Sequence, residues 1–369
     1  MNIAIVITNP NHHLEMTIDA AKKLKEMGHD PFYVSLCEFR RMTTPVEKLE
    51  SYNIPFFKQK PISEDLKPSS GASTLGSNQS FLRKILREIF WRIKLKPFIT
   101  SSLKAADVVL LMNDTAFPGD RISSHLISRK IPFCLMQEGI RFPLPGEGGS
   151  SYGSAGASKL FVWGQRSAQY FRQVAKSQTE VVITGSPRFD TFLKEMRLLE
   201  DPNERILGVF TNPIDDQGFC NKQQKLDLFE SFVRRSESYL RSKEVILGVK
   251  CHPREDINEY LDIANKYVET VSLDRDIKRA IGQVQAGVIM ASTVGLELLG
   301  SNKSLGQLEI PGYGWVFDYT ESESVLKIPV DGDFNLDLLF VEKVESDYFR
   351  QHILFNHSAD RIANQLLLC

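Results

Sequence analysis

Short apolar runs recur along the chain, several closing on Gly, Asn, Asp or a small hydroxyl residue, with stretches of different periodicity between them. Asn2 to Thr8 is rich in β-branched residues. Thr17 to Met27 then sets Ile18, Ala21 and Leu24 on one face with lysines opposite, and Gly28 stops it before PFYVSL, Pro31 to Leu36. This is a βαβ opening. Ala106 to Asp114, Pro132 to Gly139, Lys159 to Gly164 and Glu180 to Pro187 are apolar almost without alternation, as strands buried on both faces of a parallel sheet must be. A new series begins at Arg205 to Pro213 and continues through VILGVK (Val245 to Lys250), GVIMA (Gly287 to Ala291) and Lys303 to Gly312. The pattern predicts an α/β protein of two doubly wound sheets, with the polar stretch Glu195 to Glu204 as linker. The domains are then 1–195 and 196–345, followed by a C-terminal segment, 346–369.

Two segments break this rhythm. Lys67 to Ser80 is rich in Ser and Gly and reads as a surface loop. Phe81 to Phe98 carries Arg83, Lys84, Arg87, Arg92, Lys94 and Lys96 against Glu88 alone, interleaved with Ile85, Leu86, Ile89, Phe90, Trp91 and Ile93. That composition fits either a core helix with a solvated face or a basic amphipathic helix at an anionic membrane, with Phe90, Trp91 and Ile93 beside the cations.

Composition narrows the class. The 45 basic and 46 acidic residues cancel, so the average charge gives no reason to expect a nucleic-acid partner. Five scattered cysteines lack metal-type spacing, and an odd number argues against a closed disulfide framework. With no basic n-region before the first strand and no long uncharged run, a cytoplasmic protein is expected, neither signal-directed nor integral. The first βα turn, TNPNHH, lacks G-x-G-x-x-G, which argues against a nicotinamide cofactor. No Asp-x-Asp motif stands at a strand end, so neither metal nor cofactor is expected.

The candidate chemistry gathers at strand ends. VILGVK runs into Cys251-His252-Pro253-Arg254, and GVIMA runs into Ser292-Thr293 before a helix. Ligands of an open parallel sheet bind at this edge, and a helix N-terminus with small hydroxyl residues suits a phosphate.

Taken in order, LMQEGI, KLFVWGQRSAQYF, VVITGSPRFD, VKCHPRED and STVGLELLGSNKSL resemble the GT-B glycosyltransferases of bacterial surface-polysaccharide assembly. The resemblance is nearest to capsule and lipopolysaccharide enzymes that use CMP-activated sugars, the Kdo transferases and bacterial sialyltransferases. It spans Ala106 to Gly312, and His357 to Leu367 resembles the final helix of such enzymes, packing back on the first domain. The resemblance implies two Rossmann-like domains facing a central cleft, a nucleotide-sugar donor on the second, and a glycan or lipid-linked acceptor on the first.

Inverting transfer needs one general base on the acceptor hydroxyl and stabilisation of the departing phosphate. Glu138, beside Gly139, is the expected base, unless its carboxylate merely pairs with Arg141 or Arg188. Asp114 is the substitute, or else caps its turn. His252 is expected to donate to the phosphate from a turn fixed by Pro253, with Ser292 and Thr293 adding donors. Glu297 would hold the ribose, and Lys250 and Arg254 would balance charge. His12, His13 and Arg141 are expected on the acceptor side. Three other readings stay open. They are a CDP-alditol phosphotransferase, a UDP-sugar 2-epimerase-like isomerase, and a non-catalytic glycan-binding scaffold.

Overall fold

The computed structural model describes residues 1–40, 42–60, 81–140, 152–199, 202, 204–322, 325–341 and 347–369. The Ser/Gly-rich stretch Lys67 to Ser80 and Arg141 lie outside them. Two parallel sheets organise the chain. The first contains β1 (Asn2–Ile7), β2 (Asp30–Ser35), β3 (Phe56–Lys58), β4 (Val108–Leu111), β5 (Phe133–Met136), β6 (Lys159–Val162) and β7 (Glu180–Ile183), in the order β3-β2-β1-β4-β5-β6-β7. The second contains β8 (Ile206–Phe210), β9 (Ile246–Lys250), β10 (Thr270–Ser272), β11 (Ala286–Ile289), β12 (Ser304–Leu308) and β13 (Val325–Ile328), in the order β10-β9-β8-β11-β12-β13. Strand order reverses between β1 and β4 in one sheet and between β8 and β11 in the other. Those two switch points open crevices at the C-terminal strand ends.

Each sheet is covered on both faces. Ile3, Ile5 and Ile7 pack with Leu14, Ala21 and Leu24 of the helix His12–Glu26, while Ala4 and Val6 point to the opposite core with Leu95, Ile99 and Leu126. In the second sheet Leu207, Val209, Leu247 and Val249 face the long helix Lys222–Ser242. Three strands escaped the sequence reading, namely β3, β10 and β13. All are sheet edges of three or four residues, half exposed in part, so no continuous apolar run marks them.

The chain then returns. Leu354 N–H donates to the Trp163 carbonyl at 2.7 Å, and Arg361 Nε donates to the Thr184 carbonyl at 2.8 Å. Gly185, at φ +76, lies beneath Leu354, where a Cβ would strike that residue's carbonyl. The final helix, Ser358–Leu366, buries Ile362, Ala363 and Leu366 in the core of the first sheet beside the helix His12–Glu26.

The basic segment is a helix from Phe81 to Ser102 whose middle, Trp91–Leu95, is π-helical. Pro97 has no N–H to continue the α ladder, and Lys96 N–H bonds instead to the Trp91 carbonyl. Phe90 and Trp91, expected beside the membrane cations, are buried in the core with Leu95 and Ile99. Their aromatic surface is worth more against the sheet than outside it. The exposed apolar row is Ile85, Leu86, Ile89 and Ile93. Among the described residues no helix is long and apolar enough to cross a membrane.

Candidate functional site

The first half of the site is built at the ends of β1 and β5. Asn9 Oδ1 accepts from the N–H groups of Asn11 and His12, both at 3.1 Å, and so starts the helix that carries His12 and His13. After β5, the buried Gln137 fastens the next loop. Its Nε2 donates to the Gly139 carbonyl and to Ser167 Oγ, both at 2.9 Å, and its Oε1 accepts from Trp163 N–H at 2.9 Å. Glu138 is thereby presented between them, and a Cβ at Gly139 would meet nothing within 4 Å.

His13 and Glu138 meet directly, His13 Nε2 lying 2.9 Å from Glu138 Oε1. His13 Nδ1 accepts from Thr8 N–H at 3.2 Å, so the ring proton sits on Nε2 and points at the carboxylate. With the ring 2% exposed and both nitrogens occupied, His13 orients Glu138. Glu138 itself stays 26% exposed. His12 donates from Nε2 to the Glu138 carbonyl at 3.1 Å. Burial, helped by the Arg188 charge and opposed by Glu138, lowers its pKa to about 4, so the ring is neutral with Nδ1 as its acceptor.

Asp114 has a different position from the one expected. It is 3% exposed, and its two oxygens accept from the N–H groups of Gly153 at 2.9 Å and Ala155 at 3.0 Å. A carboxylate so engaged tethers the segment after residue 152.

The second half lies around β8. Asn212 ties the switch point together, donating to the Ala291 carbonyl at 2.7 Å and accepting from Ala291 N–H at 3.3 Å. His252 sits after β9 on one side and Ser292-Thr293 after β11 on the other. His252 Nδ1 accepts from Arg254 N–H at 3.2 Å, and burial, then the Arg254 charge, lowers its pKa. The neutral ring therefore carries its proton on Nε2 as a donor. Ser292 Oγ accepts from Val294 N–H at 3.3 Å, and the Thr293 side chain makes no cap. Tyr319 holds this turn, its hydroxyl donating to the Ser292 carbonyl at 3.1 Å while its ring fills the space that a Cβ on Gly295 would need.

Beneath the His252 loop lies a charged network absent from the sequence reading. Lys225 Nζ reaches Asp215 and Glu255, each at 2.8 Å, and Glu255 also accepts from Tyr260, Thr211 and the His252 N–H. Lys225 and Glu255 are 5% and 4% exposed. Burial depresses the Lys225 pKa, but Asp215 and Glu255 outweigh it and the net shift is upward. Nothing in the spacing of Lys225 and Glu255 signals this pair. The one available hint is a lysine on the apolar face of a helix.

Lys250 is half-buried, donates to the Cys251 carbonyl at 3.0 Å, and has its pKa lowered chiefly by burial. Pro253 lies exposed in the turn closed by Glu255 N–H on the His252 carbonyl at 2.9 Å. Arg254 departs from expectation, because the turn points it outward, where it pairs with Asp216 at 3.0 Å. Glu297 departs too. It is 2% exposed and bound by Arg188, which also reaches Glu15 at 3.6 Å. Arg188 thus links the helix of His12 and His13 to the helix after Thr293, and joins the two halves of the site. Among the described residues no group of three or more His, Cys, Asp or Glu is disposed to hold a metal ion.

Two doubly wound domains with this order of elements make a GT-B fold. The chain is similar to the UDP-GlcNAc 2-epimerase of Methanocaldococcus jannaschii solved with UDP-GlcNAc and UDP, with a TM-score of 0.61, 12% identity and 100% of each chain covered. It is similar to the glycotransferase of kitacinnamycin, with a TM-score of 0.51, 12% identity, and 99% of this chain and 93% of that one covered. It is also similar to S. aureus MnaA solved with UDP, with a TM-score of 0.50, 15% identity, and 84% and 79% covered. No protein-family model matches the sequence, and no curated protein sequence matches it either.

Proposed function

We propose that this protein transfers a sugar from a nucleotide-activated donor to a glycan acceptor. The observation that carries the reading is the Glu138 carboxylate, part-exposed at a strand end and oriented by the His13 N–H, in a fold whose second domain presents His252, Ser292 and Thr293 at its own switch point. Glu138 would take the acceptor hydroxyl proton as that oxygen attacks the anomeric carbon. The bond to the nucleotide phosphate breaks, and the leaving charge is met by His252 Nε2–H and the two hydroxyls. His12 belongs to the acceptor side, His13 acts there through Glu138 alone, and Lys250 offsets phosphate charge. The order of motifs favours a CMP-linked donor and a bacterial surface polysaccharide. The neighbours solved with UDP favour a uridine one.

A second reading has a specific observation behind it, the full-length likeness to UDP-GlcNAc 2-epimerases. There Glu138 would move a proton at a sugar carbon and need no acceptor. Calorimetry with CMP, CDP and UDP, followed by turnover of the matching nucleotide sugars with and without a glycan acceptor in deuterium oxide, separates the two. Acceptor-dependent release of nucleotide is expected, without deuterium entering the sugar. Deuterium entry without acceptor would establish the isomerase, and binding of none of the nucleotides would leave a scaffold. Glu138→Gln should cut turnover by about 100-fold or more with nucleotide affinity nearly unchanged.

A further inference from the structure

A second cationic site lies away from the cleft, on the outer side of the first domain. A cavity of about 490 Å³ is lined by Arg92, Lys96, Thr100, Ser101, Lys104 and Arg129. Four cations meet there, and Arg92 has a carboxylate partner, Glu88 at 2.7 Å. Among the described residues no carboxylate pairs with Lys96, Lys104 or Arg129. In a chain whose charges sum to −1, such a local excess is a property of this face and not of the average. Its polar lining adds hydroxyls. Thr100 Oγ1 lies 3.1 Å from His125 Nε2, and the His125 pKa is lowered by burial and then by the Arg129 and Lys96 charges. The imidazole therefore stays neutral beside the cations.

The apolar row begins where the cavity ends. Ile89 and Ile93 are exposed and stand three residues before the cavity residues Arg92 and Lys96 on the same helix. Leu86 is 61% exposed and Ile93 64%, and Ile127, two residues before Arg129, is exposed as well. Large aliphatic side chains in water beside unpaired cations form an interfacial pattern, the aliphatics suited to the acyl boundary and the cations to phosphate. The π-helical segment Trp91–Leu95 spans this junction. Across it Trp91 and Leu95 are buried in the core while Arg92, Ile93 and Lys96 are exposed.

We propose that this cavity receives the phosphate headgroup of an anionic membrane lipid, with Leu86, Ile89 and Ile93 entering the leaflet beside it. Nothing in this assignment depends on the reaction at the cleft. The full-length protein is tested by co-sedimentation with vesicles of phosphatidylglycerol and phosphatidylcholine, and with phosphatidylcholine alone. Binding is expected to the anionic vesicles only, and to fall as salt rises. Lys96→Gln/Lys104→Gln/Arg129→Gln should bind about 100-fold more weakly, each cation near an anionic surface being worth about a factor of five. Leu86→Ser/Ile93→Ser should also lose binding, with melting temperature unchanged because both side chains are exposed. A control, Lys243→Gln/Lys266→Gln/Lys303→Gln, removes the same charge elsewhere and should bind as the parent does. Equal loss in the control would mean diffuse attraction and overturn the cavity. So would vesicle binding by the parent that is absent, or that survives in the cavity triple variant. Release from vesicles by low inorganic phosphate at constant ionic strength would assign the cavity to a free anion and overturn the lipid.

Discussion

A histidine beside a carboxylate can either hold it in place or exchange protons with a substrate, and the ring nitrogens decide which. His13 has both engaged, so it positions Glu138. His12 keeps Nδ1 as an acceptor and is held neutral by burial. The acidic residue was legible from its place before a glycine at a strand end. Its pairing with His13 was not, because 125 residues separate them and only the adjacency of β1, β4 and β5 brings them together. The neutral state of His12 has a consequence for stability. Its folded pKa of about 4 lies below the ordinary value of 6.5, so between those values the unfolded chain binds a proton that the native protein does not. Stability is full above pH 6.5 and falls as pH drops toward 4. Going from pH 7 to pH 5 should cost on the order of 2 kcal/mol through this residue. Urea unfolding of the parent and of His12→Gln at both values measures it. The variant should lose less stability by about that amount, and equal losses would mean that His12 takes up its proton in the native state.

At the scale of elements, the central strands were legible because burial on both faces leaves an unbroken apolar run, and the edge strands were not because half their surface is wet. The basic helix was legible as an element, but its orientation was not. Periodicity alone cannot say which of two apolar rows meets the sheet, and in the structure it is Phe90, Trp91, Leu95 and Ile99 that do. The loop after β9 shows a further limit. VKCHPRED announces a turn at a strand end, but the turn is held from below by Lys225, on a helix that precedes β9, through Glu255. Replacing Lys225 by Met keeps the stem and leaves Glu255 and Asp215 without their cation. Breaking a buried pair from one side costs about 3–5 kcal/mol. Lys225→Met should therefore lower the melting temperature by several degrees and weaken nucleotide binding, while Lys225→Met with Glu255→Gln should recover part of the stability. A single variant that melts with the parent would show that the network carries no such weight.

Across the whole molecule, the two domains share more than a linker. Trp163, Phe189, Phe192 and Leu193 from the first pack in one cluster with Leu296 and Leu298 of the second and with Phe349 and Ile353 of the returning segment. The helix Pro187–Met196 is the central piece. One side meets the helix His12–Glu26, and the other meets the helices Ile277–Gly282 and Val294–Gly300. At its start, Arg188 joins Glu15 to Glu297 across the domain boundary. A two-sheet pattern is visible in sequence, but this junction is not, since its residues come from separate stretches that no local rule connects. Glu297 is buried, so removal of its cation is felt as an uncompensated charge and not merely as a lost surface pair. Arg188→Met should destabilise the protein by about 3–5 kcal/mol. Glu297→Leu in addition should restore most of that loss, because the buried charge is then gone and its space is filled. Denaturant unfolding of the parent, both single variants and the double completes the cycle, and small-angle scattering shows whether the Arg188→Met domains part. Additive single effects in the double variant would mean that Arg188 and Glu297 act separately, and the electrostatic junction between the domains would then have to be abandoned.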